Sequence, residues 1–494
     1  MTGTYKVPTL VISDGAIIDG TANIIGWATA NPGWNRDPGR TPRHTGPTVS
    51  SRTPPAVAAP AAIQTAAWLY RPTRFLDWCR RRYGDTFSVM FIGFKTPMVM
   101  ISDPESIRSL YKGRENGLPP GRSAALEPVM GSRSVLLLEG SEHLSRRKLM
   151  LPAFHGERMR AYETVISEVA RTEINAWRVG STFPIHSRMQ AVTLDVILRA
   201  VFGVSDASRL EQLGGLLGGM LADMASPRLQ LRVLMAQRFD REDPMQELRR
   251  KSKPVDDLLQ AEVTERRADP ALGERTDILS MLVAARFEDG EPMSDEELRD
   301  QLITLLLAGH ETTATALGWT FDLLLRNPQR LSRLQAELAE GGDEYLRAVI
   351  SESLRLRPVV PLAGRRLHST LRVGGYELPE GTDVTPAIWL AHTRADIYPE
   401  PLKFRPERFL EGSPEPYAWV PFGGGVRRCL GAAFAEFEMR IVLREVLERC
   451  KLRSAQSAPE RIARRNITFS PRHGTPVMLA SRRPARREAR LAAV

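Results

Sequence analysis

Residues Pro421 to Phe434 read PFGGGVRRCLGAAF, and the fold turns on how this stretch is understood. Its one cysteine, Cys429, follows three consecutive glycines, Gly423 to Gly425, and precedes an apolar run. Glycine reaches backbone conformations that a Cβ forbids, so successive peptide N–H groups can turn toward one point. From Leu430 the sequence LGAAFAEFEMRIVLREVL has helical periodicity, which predicts Cys429 at a helix N-terminus. Free N–H groups and the positive end of the helix dipole favour an anion there. With Arg427 and Arg428 beside it, the thiol is expected to ionise readily. Such a thiolate is either a nucleophile or a metal ligand, and the loop alone does not choose.

Composition removes several classes. The 494 residues are 42% hydrophobic and 26% charged, which is an ordinary globular balance. The formal net charge is +10, but residues 481–494 hold five arginines and one glutamate (5 − 1 = +4), leaving +6 for the remainder. No basic stripe interleaves with aromatics, so nucleic acid is not an expected partner. Three cysteines, Cys79, Cys429 and Cys450, are too few for a disulfide framework and predict a reducing, cytoplasmic setting. The absence of CxxC and CxxCH argues against structural zinc and covalently attached haem. No apolar run is long enough for a transmembrane anchor.

Residues 1–55 show no targeting pattern and become rich in Pro, Gly, Ser, Thr and Ala, so they read as a poorly ordered extension. Residues 56–480 read as a single domain, and 481–494 as a basic tail. Organised structure is expected from about Ala61, in an amphipathic helix with a proline interruption and Cys79 among charges near its end. Phe87 to Ser102 alternates like a hairpin, and Asp103 with Pro104 starts a helix. Long helical patterns follow, without βαβ alternation, and Thr370 to Val384 resembles a second hairpin. The fold class is mainly α with small β-sheets.

Three further stretches carry chemistry. In EGSEHLSRRKLMLPAF, His143 and Arg147 stand four apart and share a helix face, where two donors can clamp a carboxylate. Ser294 and Glu297 form a capping box, and no breaker follows until Asn327-Pro328, so one very long helix is expected. Its middle, LITLLLAGHETTATALGW, is apolar on every side and must be buried. Within it Ala308-Gly309-His310-Glu311-Thr312 places an acid and a hydroxyl where they are costly without partners. Thr312 can bond back to the Ala308 carbonyl and open the helix locally. Finally, Glu352 and Arg355 are three apart among apolar residues, with Arg408 a candidate third partner.

Together these segments resemble the cytochrome P-450 family of haem-thiolate enzymes, of the soluble bacterial kind. The family's loop pattern FxxGxRxCxG is met by Phe422, Gly425, Arg427, Cys429 and Gly431. Its mid-helix pattern is met by Ala308, Gly309, Glu311 and Thr312, its ExxR pair by Glu352 and Arg355, and its PERF segment by Pro406 to Phe409. The resemblance runs from about Pro54 to about Ala480. It implies the P-450 fold, with the long helix over one haem face and the cysteine loop on the other. It implies non-covalent haem b, with Cys429 as the axial ligand to iron, an electron-rich thiolate that favours O–O cleavage. Phe422 and Gly423 would shape the loop beside the sulfur, and Ala308 and Gly431 would border the haem. His143, Arg147, Arg365 and Arg427 would hold the haem propionates, Arg365 being chosen over its neighbour Arg366. Thr312 and Glu311 would relay protons toward dioxygen, while Glu352, Arg355 and Arg408 would form a structural triad.

The implied activity is that of a monomeric oxidoreductase, a monooxygenase that puts one atom of dioxygen into an apolar organic substrate. Lipid, terpenoid, steroid and polyketide-like molecules all remain open as substrates. No flavin or iron–sulfur module is fused to the chain, so electrons come from a separate donor, a ferredoxin with its reductase, steered by Arg146, Lys148 and Arg428. Leu118 to Leu136, Leu216 to Arg232, Leu305, Ala308, Val359 to Ala363 and Phe469 are the expected pocket walls, with Met220, Leu221 and Met224 in the roof. A haem-thiolate isomerase or peroxygenase, or a non-catalytic haem binder, is the alternative, and Glu311-Thr312 argues against both.

Overall fold

The Ser294 hydroxyl accepts the Glu297 N–H at 3.1 Å, and the Glu297 carboxylate accepts the Ser294 N–H at 3.1 Å. This reciprocal cap satisfies two otherwise orphaned donors, and Asp295, Glu296 and Glu297 suit the positive end of the dipole. The helix it opens spans Asp295–Leu325, 31 residues or about 46 Å at 1.5 Å per residue. Pro328 then begins the next helix, Pro328–Glu340. From Thr313 to Leu324 every residue of the long helix is buried. It packs along the helix Ile185–Ala200. Gly309 lies at this crossing, where a Cβ would stand 3.1 Å from Ile197 Cδ1, so glycine sets how near the two helices come.

The computed structural model describes residues 53–113, 117, 127, 129–156, 158–204, 206–224, 243–465 and 467–483, together with 10–11 and 17–18. The chain divides into two units, residues 1–49 and 50–494. In the first, Leu10–Val11 pairs antiparallel with Ile17–Ile18. The remainder of the N-terminal extension up to residue 52, and the tail beyond 483, lie outside the described residues.

In the second unit the principal apolar core joins the long helix to Arg158–Ala176, Ile185–Ala200, Glu344–Leu356 and Ala432–Arg449. Phe434 anchors this core edge-on, its ring 5.5 Å from Tyr162 and 6.2 Å from Phe154. A second core lies under the first two helices, Ala61–Tyr70 and Pro72–Tyr83, which Arg71 and Pro72 separate. Cys79, expected among charges, is instead fully buried there beside Phe75 and Leu76, and burial pushes its thiol far above the usual range.

The hairpin expected between Phe87 and Ser102 is present as Thr86–Val89 and Met98–Ile101, with Thr86 opposite Ile101. The segment from Thr370 to Val384 divides in two. Leu371–Val373 and Tyr376–Leu378 close a small hairpin, while Asp383–Pro386 leaves it to run parallel to Met98–Ile101. Arg365–Arg366 completes that sheet from the far edge, antiparallel to Asp383–Pro386. The sequence reading missed the C-terminal strands. Cys450–Ser454 and Thr182–Pro184 flank Pro476–Arg482, and Ile462–Arg465 pairs with Thr468–Pro471.

Glu438 faces inward from Ala432–Arg449, and its Oε1 has no hydrogen-bond partner among the described residues. Burial lifts this carboxyl to about 8. The folded protein therefore keeps a proton that the unfolded chain loses near 4.5, so this residue makes stability fall as pH rises between those values. The slope is on the order of 1 kcal/mol per pH unit. Glu438→Gln is expected to melt higher than the wild type at pH 8 and nearly level with it at pH 5. An equal difference at both pH values would show that the carboxyl is not held neutral.

Candidate active site

The middle of the long helix has one continuous accessible face. Leu305, Gly309 and Thr312 are half-buried and Ala308 is exposed, although their neighbours Ile303, Thr304, Leu306, Thr313 and Ala314 are buried. Positions i, i+3, i+4 and i+7 share one helix face, so these four residues form an accessible strip, while Leu307 and Glu311 are partly accessible on another side. The Thr312 hydroxyl donates to the Ala308 carbonyl at 2.6 Å, as the sequence led us to expect.

Glu311 does not point along that strip. Its Oε2 accepts from Gln190 Nε2 at 2.6 Å, and its Oε1 accepts from the Thr315 hydroxyl at 3.3 Å. His186 Nε2 stands 3.6 Å from the same Oε1. Burial raises the Glu311 carboxyl, opposed by the Gln190 bond, the Arg465 charge and the Thr315 bond. Burial holds His186 at about 4, so it is neutral near pH 7. Gln190, His186 and Arg465 had no sequence signal, because they belong to other elements.

The cysteine loop is folded tightly. Gly423 and Gly425 take φ of 67° and 65°, and the Cys429 N–H donates back to the Phe422 carbonyl at 2.9 Å. A Cβ on Gly425 would collide with the Tyr111 carbonyl, so glycine is required there on both counts. The helix begins at Ala432 with Gly431 as its cap, which leaves Cys429 just ahead of the helix rather than on it. The cysteine is solvent-accessible yet crowded by surrounding protein, as at the floor of a cleft. This environment corrects one expectation. Burial raises the Cys429 thiol despite the Gly431 N–H and the charges of Arg428 and Arg147, so the helix end alone does not ionise it.

Four cationic or donor groups meet nearby. His143 is buried on the helix Gly140–Met150, one turn before Arg147. Burial, then Arg427, Arg147 and Arg365, hold His143 down at about 4. Burial, then Arg365, lower Arg427 to about 10, against the opposing pull of Glu139. Arg427 donates to the Leu138 carbonyl at 2.5 Å and to that of Leu136 at 3.3 Å. Arg365 is buried over the Tyr111 ring, 5.5 Å from its centroid, and donates to the Gly364 carbonyl at 2.9 Å. Its neighbour Arg366 is otherwise engaged, gripping Asp383 at 2.8 and 2.9 Å. Among the described residues no carboxylate forms an ion pair with Arg147 or Arg365, and Glu139, which attracts Arg427, also faces His368 at 3.4 Å. Like charges gathered at a buried place call for anions.

Glu352, Arg355 and Arg408 are also brought together. Arg355 holds both Glu352 oxygens at 2.6 and 2.8 Å, and Arg408 Nε donates to Glu352 Oε1 at 3.1 Å. His392, which the sequence reading passed over, links this cluster to the cysteine segment. Its Nδ1 lies 3.1 Å from the Arg355 carbonyl, and its Nε2 accepts the Val420 N–H at 2.9 Å. Those partners assign the neutral tautomer protonated on Nδ1, and burial keeps it neutral to about pH 3. Phe469, an expected pocket wall, is buried against Trp68 instead, with centroids 5.7 Å apart. Residues 118–126 and 225–232, and the side chains of Met220, Leu221 and Met224, lie outside those described.

The cytochrome P450 family profile matches residues 62–475. Cytochrome P450 135B1 of Mycobacterium tuberculosis is 40% identical over 450 residues, covering 88% of this chain and 93% of its own. Cytochrome P450 137 of the same species is 40% identical over 447 residues, covering 88% and 92%. Among solved structures, the retinoic acid-bound cyanobacterial CYP120A1 superposes with a TM-score of 0.76 at 24% identity, covering 88% of this chain and all of that one. The family profile and these relatives define a haem-thiolate oxidoreductase. The chain belongs to the cytochrome P450 family, whose members are monooxygenases that bind haem b through a cysteine thiolate.

The residues present fit that group. An accessible cysteine with an N–H aimed at its sulfur suits an axial ligand, and a cluster of arginines with so few carboxylates among the described residues suits two propionates. Arg365→Gln is expected to release haem to a scavenging apoprotein about tenfold faster than the wild type, the loss of one charge-assisted bond. Arg366→Gln should leave that rate unchanged, and a reversed order would move the clamp to Arg366.

Proposed function

We propose that this cytochrome P450 hydroxylates or epoxidises an apolar substrate, with Thr312 and Glu311 delivering protons and Cys429 holding the iron. The observation that carries the reading is the open strip on the long helix, which sets the Thr312 hydroxyl beside the exposed Ala308. Bound haem supplies the reductive cleavage of dioxygen, for which the thiolate is the electron-rich ligand. The protein's own part is to place donors and exclude water. Thr312 offers a hydroxyl that can turn from the Ala308 carbonyl toward the cleft. Glu311, lifted toward neutrality by burial, can carry a proton from its outer partners to that hydroxyl. His143, Arg147, Arg365 and Arg427 would bind the propionates, and Leu305 and Ala308 would leave room for an apolar substrate.

The family requires a separate electron donor, and we assign it to a ferredoxin with its reductase. Of the docking cations the sequence indicated, this reading keeps Arg428 and sets aside Arg146 and Lys148. Arg146 pairs with Glu297 at 2.5 Å and Lys148 with Glu288 at 2.6 Å, so their charge is already answered. Arg428 is exposed beside Cys429, and Arg347 and Arg440 share the single carboxylate of Asp343 at 2.9 Å each. All three act on the Glu436 carboxyl, which places them around the start of the cysteine helix. Arg347→Glu combined with Arg440→Glu should slow the first electron transfer about tenfold and flatten its salt dependence. Lys148→Glu should change neither, and equal effects from both variants would sink this docking site.

Substrate class is read by a screen for ligand-induced Soret shifts with fatty acids, terpenoids, steroids and polyketide lactones. Retinoic acid, the ligand of the cyanobacterial structure, makes a useful probe. Product from a hit is expected with reductant and dioxygen, and Thr312→Ala should divert most reducing equivalents to peroxide while the Soret shift persists. Tight coupling in that variant would remove the hydroxyl from the proton path. Turnover with peroxide alone would mark a peroxygenase.

A further inference from the structure

The long helix carries a second hydroxyl one turn beyond Glu311, at Thr315. Thr315 is fully buried, donates to Glu311 Oε1 at 3.3 Å, and has His186 Nε2 at 3.1 Å. Its Oγ1 also lies 3.5 Å from the Ser470 hydroxyl, which is fully buried. Ser470 Oγ is 2.9 Å from Thr468 Oγ1, and Thr468 donates to the Arg465 carbonyl at 2.9 Å. Arg465 is exposed at the turn of this C-terminal hairpin. Three hydroxyls therefore lead in single file from a buried carboxyl to a residue in water.

The file is held in register by backbone bonds on either side. Trp319 Nε1 donates to the Phe469 carbonyl at 2.8 Å, and Thr475 Oγ1 donates to the Gly318 carbonyl at 3.1 Å. These fasten the strand Thr468–Pro471 to the long helix around Ser470. Hydroxyls suit relay because each accepts on one side while donating on the other, and the rotor chooses the direction. The two wider gaps, 3.3 and 3.5 Å, close with the half-ångström excursions ordinary in folded proteins. Arg465 also acts directly on this line, since its charge favours the Glu311 carboxylate and disfavours a protonated His186. With His186 kept neutral, the hydroxyls rather than the imidazole carry the proton.

We propose that Thr468, Ser470 and Thr315 form the outer half of a proton path that reloads Glu311 from solvent at Arg465. The proposal rests on the reading of Glu311 as the relay acid. In one cycle a hydronium gives its proton to Thr468 Oγ1. Thr468 passes its own proton to Ser470, Ser470 to Thr315, and Thr315 to Glu311 Oε1. The carboxylate becomes the acid, each hydroxyl is restored, and one water is left outside. Glu311 then turns inward to spend that proton.

The test follows Glu311 itself in the resting haem-loaded enzyme. At a pH low enough to protonate Glu311, its carboxyl stretch, identified by its absence in Glu311→Gln, is timed by infrared spectroscopy after transfer to heavy water. Thr315→Val and Ser470→Ala are expected to slow this exchange about tenfold or more. Thr315→Ser, which keeps the hydroxyl, should exchange at the wild-type rate. Thr468→Val, nearer the surface, gives the same reading should a central variant fold poorly. Wild-type exchange in folded Thr468→Val or Ser470→Ala protein overturns the path. Coupling of reductant to product separates this result from the relay assignment. Slowed exchange with unchanged coupling upholds the path and removes Glu311 from catalysis. Normal exchange alongside an uncoupled Thr312→Ala enzyme does the reverse.

Discussion

Arg355 is wholly buried and still satisfied, because Glu352 takes two of its donors and three backbone carbonyls take the rest. Those carbonyls belong to His392, Pro401 and Lys403, at 2.6, 2.8 and 3.5 Å. A guanidinium taken out of water is very costly unless every N–H finds such a partner. The segment from His392 to Lys403 is therefore obliged to wrap around the end of the helix Glu344–Leu356. His392 then reaches on to Val420, two residues before Phe422 and the cysteine turn. Removing one partner leaves a buried charge, so the cluster constrains the loop far more sharply than apolar packing of similar area.

Motifs that are local in sequence were legible in advance. The Ser294–Glu297 cap, the back-bond of Thr312 and the i, i+3 pairing of Glu352 with Arg355 each depend on positions within one helical turn. The glycine run ahead of Cys429 announced its tight turn for the same reason, since φ above zero selects glycine wherever it occurs. Arg365 and Arg366 are adjacent in a β-strand, so their side chains project to opposite faces. One meets Asp383 and the other joins the cationic cluster.

What depended on distant partners was hidden. Nothing within Gly140–Met150 shows that Arg146 and Lys148 are neutralised by Glu297 and Glu288, which lie more than a hundred residues away. The same holds for Glu311, where the residue type was apparent but its turn toward Gln190 and Thr315 was not. The thiol of Cys429 illustrates a contest of magnitudes. Helix dipole and neighbouring arginines push it one way, and enclosure by protein pushes it the other and prevails. The short C-terminal strands escaped notice because they are interrupted by prolines and arginines and lack a clean two-residue alternation.

The contact of Gly424 and Gly425 with Tyr111 has a consequence for how the protein is made. The walls of the site come from distant parts of the chain: Tyr111, Leu138, His143 and Arg147 first, Arg365 and His392 later, Cys429 after them. Closing contacts between such distant residues is slow, because the loop entropy is spent before any of them forms. During synthesis the clamp helix leaves the ribosome with its arginines long before the cysteine turn exists. The site therefore closes only once the intervening chain is in place, and until then the cations of Gly140–Met150 stand without the cysteine turn.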